Sequence, residues 1–76
     1  MSMAPFRVHN ARDLGAAVRY FRAEAHLSQA LLAEQAGVHR TYLSDLEQGQ
    51  ATAALDRLVR ILSELGVRIT IGPAEW

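Results

Sequence analysis

The chain has no cysteine, so no disulfide staples it and no thiolate site holds a metal. Its three histidines, His9, His26 and His39, are scattered. Zinc sites need clustered ligands, so no metal and no cofactor is expected. No apolar run approaches the roughly 20 residues of a membrane-spanning helix. The first residues lack a secretory signal pattern, and a soluble, cytoplasmic protein is expected. Lysine is absent too: all eight basic residues are arginine, against eight acids, for a formal net charge of zero. That balance argues mildly against strong electrostatic attraction to nucleic-acid phosphates. It is uneven along the chain, however. Through Arg40 there are Arg7, Arg12, Arg19, Arg22 and Arg40 against Asp13, Glu24 and Glu34, a net of +2. From Thr41 onward Arg57, Arg60 and Arg68 face Asp45, Glu47, Asp56, Glu64 and Glu75, a net of −2. A catalytic constellation is also missing. Ser44, His39 and Asp45 are close in sequence, but a helix sends neighbours in diverging directions, and no oxyanion-binding device is visible. No enzymatic activity is expected.

What is present is a chain of 76 residues, half of them hydrophobic. That length supports one small domain with a limited core, and the composition leaves apolar surface for a partner. Residues 1–9, with Pro5 and no helical period, read as an arm that is extended at Phe6-Arg7-Val8. Asn10 caps a helix, with Asp13 as the acid of its first turn. Leu14, Ala17, Val18, Phe21 and Ala25 mark one face of that helix, from about 11 to 25. Gln50 to Ala53 is a linker in which Thr52 caps a last helix, roughly 54 to 65. Its apolar residues Leu55, Leu58, Val59, Ile61, Leu62 and Leu65 cover more than one face.

Between these lies the most informative stretch, from Leu27 to Gly49. Ser28 is a suitable N-cap. Leu31, Leu32 and Ala36 form an apolar stripe, and Gly37 ends the helix where positive φ is needed. Val38 re-enters the core, and Leu43 and Leu46 supply the buried side of a second helix that Gly49 ends. Arg40, Thr41, Ser44, Asp45 and Gln48 share its outward stripe. Two short helices joined by a Gly-containing turn, the second with a polar outer face, make a helix-turn-helix pattern. An α-helix fits the major groove of B-DNA, where Arg forks onto guanine, Thr touches the thymine methyl and Ser bonds to several bases. An ordinary helical hairpin with a solvated polar stripe has the same turn and cap signals.

Ser28-Gln29, Leu32-Ala33, Ala36-Gly37-Val38, Tyr42-Leu43-Ser44 and Leu46-Glu47-Gln48-Gly49, in that register, resemble the Xre family of lambda-repressor-like helix-turn-helix proteins. Two departures stand out. The family usually has Glu where Leu31 stands, so the capping box with Ser28 is only half made. It often has Ser where His39 stands, which weakens the cap of the second helix. The resemblance implies that Arg22 pairs with Glu47, tying the first helix to the end of the recognition helix. It also implies roles at the DNA. Gln29 anchors a phosphate or reaches a base, Arg40, Thr41 and Ser44 read base edges, and His39 touches the backbone. Asp45 either accepts from a cytosine amine or only repels phosphate.

Val67-Arg68-Ile69-Thr70-Ile71 alternates strictly, and Gly72-Pro73 stops it. No second strand with this signature exists in the chain. Val67, Ile69 and Ile71 are therefore expected to form the dimerisation surface, two copies pairing their strands. Trp76 lies over the same surface or anchors a toxin partner, and without a partner it is expected to fray with the terminus. The ending Leu-Gly-Val-Arg-Ile-Thr-Ile resembles the HipB-type antitoxins, which implies an operator-binding homodimer, a HipA-type kinase toxin as partner and autoregulation of a shared operon. The expected fold is all-α: a four-helix lambda-repressor-like domain over 10–65, with a C-terminal strand over 66–76 pairing across a homodimer. The alternatives are a stand-alone Xre-type regulator and a protein-binding module that uses the fold without reading DNA, which neutral charge and Asp45 favour.

Overall fold

Asn10 opens the first helix as its side chain suggests. In the computed structural model, which describes residues 6–50 and 52–74, Asn10 Oδ1 accepts from Asp13 N–H at 2.9 Å and Asp13 Oδ2 accepts from His9 N–H at 2.8 Å. The exchange closes two of the backbone donors at the helix start. The elements run β1 (Phe6–Val8), α1 (Ala11–Glu24), α2 (Gln29–Ala36), α3 (Arg40–Glu47), α4 (Ala53–Glu64) and β2 (Ile69–Ile71). The outer arm, residues 1–5, and Trp76 lie outside the described residues. The four expected helices are present, joined by a two-stranded antiparallel sheet.

The sheet corrects one expectation. β2 does not wait for a second chain. It pairs with β1 in the register Phe6↔Ile71, Arg7↔Thr70 and Val8↔Ile69. The stretch Phe6-Arg7-Val8 supplies the missing neighbour and, with Val8 5 % exposed, ties the chain's start into the core. Val67 stands outside the ladder and is exposed, so it does not share the setting of Ile69 and Ile71, which are half-buried.

Ser28 Oγ accepts from Leu31 N–H at 3.0 Å, starting α2, and Gly37 ends it at φ 70. The buried residue of α2 is Ala33, not the expected stripe: Leu31 and Ala36 are exposed, and Leu32 is half-buried. Val38 is exposed as well rather than re-entering the core. The reason lies in the composition of α2. Apolar side chains at 30, 31, 32, 33 and 36 surround the helix, so periodicity does not fix its phase. Packing does, and a small side chain lets the neighbouring helices approach.

Thr52 Oγ1 caps α4 by accepting from Leu55 N–H at 3.2 Å. Of α4, Val59 is buried, Leu55 and Leu62 are half-buried, and Leu58 and Ile61 remain exposed. The first helix is used on two sides. Leu14, Ala17, Val18 and Phe21 form an apolar groove with Ile71–Ala74. On its other side α1 meets α3 so closely that a Cβ built on Gly15 would fall 1.8 Å from the Leu46 carbonyl oxygen. Among the described residues the buried apolar core is Val8, Ala11, Ala17, Ala33, Leu43 and Val59. Half of it is alanine, which trades side-chain volume for close helix approach.

Candidate nucleic-acid interface

The recognition-helix candidate is held from behind by one charged node. Glu47 is 9 % exposed at the end of α3. Its Oε2 accepts from Arg22 Nε at 2.8 Å, and its Oε1 accepts from Arg22 Nη2 at 2.9 Å. The planar guanidinium fork matches the two carboxylate oxygens. Arg22 Nη1 also donates to the Leu27 carbonyl at 2.8 Å, and Gln29 Nε2 donates to Glu47 Oε1 at 3.1 Å. Four pieces of chain therefore meet at one ion pair: α1, the α1–α2 connection, the first residue of α2 and the last of α3. This fixes how α3 sits relative to α2.

The hydrogen bonds from Arg22 hold the Glu47 carboxyl below the usual carboxylate range. Burial pulls it up, while Gln29, the Arg22 charge and the Arg19 charge pull it further down. The Glu47 hydrogen bond in turn keeps Arg22 more firmly protonated. A lowered folded value means that Glu47 contributes stability in full above its ordinary value of 4.5. That contribution is withdrawn as pH falls through the folded value. Thermal melts between neutral pH and about pH 3 should therefore show a larger loss for the wild type than for Glu47→Gln. Equal acid sensitivity would remove the carboxylate from the account.

With its back fixed, α3 presents its other side outward. Arg40 and Thr41 are exposed, Ser44 and Asp45 are half-buried, and Arg40, Thr41 and Ser44 line one shallow depression. Ser44 Oγ accepts from Gln48 Nε2 at a long 3.5 Å, which leaves the hydroxyl hydrogen to donate elsewhere. His39 is exposed at the N-cap of α3 and its imidazole makes no cap bond. Gln29 stands apart from this group. It is half-buried and spends one of its two amide N–H groups on Glu47, so a single N–H remains for a phosphate or base. Arg22 and Glu47 meet directly, whereas Val67 is separated from Ile69 and Ile71 by the end of the ladder.

Tyr42 was absent from the sequence-derived site. It is 49 % exposed on α3, an i,i+3 neighbour of Asp45, so it borders the polar face. An aromatic residue between Thr41 and Leu43 reads as core by type. Its helical phase, one turn before Leu46, points to the flank of the apolar side, so only the packing around α3 leaves it outward.

Residues 18–71 match the helix-turn-helix family. An uncharacterised HTH-type transcriptional regulator, y4mF, of Sinorhizobium fredii is 40% identical over 65 residues, covering 86% of this chain and 86% of that protein. The control protein C.BamHI of Bacillus amyloliquefaciens is 40% identical over 55 residues, 71% of this chain and 68% of its own length. An immunity repressor protein of Bacillus phage phi105 is 32% identical over 57 residues, 75% of this chain and 40% of its own. No solved structure matches the chain at the same level.

Proposed function

The chain belongs to the helix-turn-helix family, and from that premise we propose that it is a sequence-specific DNA-binding repressor acting as a homodimer. The observation that carries this reading is the outward face of α3, with Arg40, Thr41 and Ser44 around one depression, backed by the Arg22–Glu47–Gln29 node. The node fixes the helix from the inside, so the exposed side chains enter the major groove in one orientation. Arg40 forks onto a guanine, Thr41 meets a thymine methyl, and Ser44 bonds to a neighbouring base. Gln29 and His39 contact the backbone, and Asp45 accepts from a cytosine amine or excludes phosphate from its side of the helix. The names of the relatives, a transcriptional regulator and a repressor, point the same way.

The finer reading is an antitoxin that represses its own operon and binds a HipA-type kinase toxin. It rests on the resemblance of the ending Leu65 to Ile71 to HipB-type antitoxins. Co-purification with the product of an adjacent kinase-like gene tests it.

Arg40→Ala tests the base-reading role. It should cost about 1–3 kcal/mol of operator affinity and relax preference at one base pair of each half-site. Binding-site selection with wild type and variant reads this out. Equal weakening on all sequences would make Arg40 a phosphate contact instead.

A further inference from the structure

The last helix carries more apolar surface than its own domain uses. Leu58 is 53 % exposed, Ile61 57 % and Leu65 69 %. With exposed Ala54 they follow the spacing four, three, four along α4. Leu65, the C-cap, keeps right-handed helical geometry, so the row continues to the end of the helix. This is the spacing of a helix–helix seam, in which side chains of one helix insert between those of another. Four positions on this pattern extend about 16 Å along the axis. The opposite side of α4, with Val59 buried, already faces the core.

The residues beside the row say what covers it. Arg57 and Glu64 are both exposed and lie seven residues apart, on the same flank. Neither makes an ion pair among the described residues. If two copies of α4 ran parallel, Arg57 would face Leu62 of the other copy, which is half-buried in its own domain, and Glu64 would face a position beyond the end of the helix. If they run antiparallel, the shared flank of one helix meets the same flank of the other, and Arg57 of each copy lies beside Glu64 of its partner. Leu58 then packs against Ile61 of the second copy, and Ala54 against Leu65. A surface whose charges complement their own two-fold image is the signature of an isologous contact.

We propose that this chain dimerises through α4, antiparallel to α4 of a second copy, along Ala54, Leu58, Ile61 and Leu65, with two symmetric Arg57–Glu64 pairs setting the orientation. The proposal rests on the homodimer reading above and names its surface. The β-sheet is not needed to join the copies, since β1 already occupies one edge of β2.

Sedimentation equilibrium on the full chain tests it. Arg57→Glu and Glu64→Arg each place like charges together twice, and each should weaken dimerisation about tenfold. The double variant restores both pairs in reverse and should return to the wild-type dissociation constant. Ile61→Asp should be monomeric with unchanged helical circular dichroism, because Ile61 is exposed in the single chain. A dimeric wild type with all four variants unchanged would overturn the α4 surface while leaving the homodimer standing. In that case the copies meet elsewhere, at the outer edge of β2 or another face of the domain. A wild type that stays monomeric throughout would overturn both.

Discussion

Gly15→Ala is expected to destabilise the domain severely, although alanine is the better helix former. In an unconstrained helix interior the change would stabilise by about 1 kcal/mol. Here the new Cβ would stand 1.8 Å from the Leu46 carbonyl oxygen and 2.8 Å from its carbon. Both are backbone atoms of α3, so no rotamer relieves the overlap. α1 and α3 would have to separate by roughly 1.5 Å to restore ordinary contact. Separation pulls Arg22 away from Glu47 and loosens the close contacts of the alanine-rich core. A cost above about 3 kcal/mol follows, large for a domain of this size. Thermal melting with circular dichroism reads the result. An alanine variant that melts at or above the wild-type temperature would mean that the helices are not in close contact there.

Glu47→Ala should produce the second large loss. Removing the carboxylate strips Arg22 of its fork and Gln29 of its acceptor together. The cost is about 3 kcal/mol, the lower end of the range for breaking a buried pair. The lower end applies because the Arg22 side chain keeps 17 % of its surface exposed. A melting temperature lower by more than about 10 °C is the expected result. Replacing both partners by apolar residues, Arg22→Met with Glu47→Leu, should cost less than Glu47→Ala alone, since no charge is stranded. If the double variant is the less stable of the two, the pair contributes net attraction rather than avoiding a penalty.

Local chemistry made the helices and their ends legible. Ser28, Asn10 and Thr52 are side chains that cap, and each accepts the expected backbone N–H three residues on. Gly37 ends α2 in the left-handed region for the reason its missing side chain suggests. His26 does the same after α1 at φ 58, and nothing in a histidine announces it. The strand at Phe6–Val8 is three residues long with an arginine in the middle, too short for alternation to register. It forms because β2 offers a ladder, which is information from the other end of the chain. Gly15 reads in sequence as a helix-propensity cost, and its use becomes visible only when α3 is laid across it. The bond from Gln29 to Glu47 and the outward position of Tyr42 are likewise set by tertiary packing. Side chains reveal caps and turns, whereas which of several apolar faces is buried depends on what packs there.

Binding-site selection from random duplexes, followed by a salt series on the winning sequence, asks whether the outer face of α3 reads a two-fold DNA site. The expected winner is a near-palindrome with half-sites about 10 base pairs apart, or a multiple of that. Its affinity should fall steeply and log-linearly with salt as phosphates are neutralised. A pool that enriches no sequence, or binding indifferent to salt, would contradict it and leave the fold serving a protein partner instead.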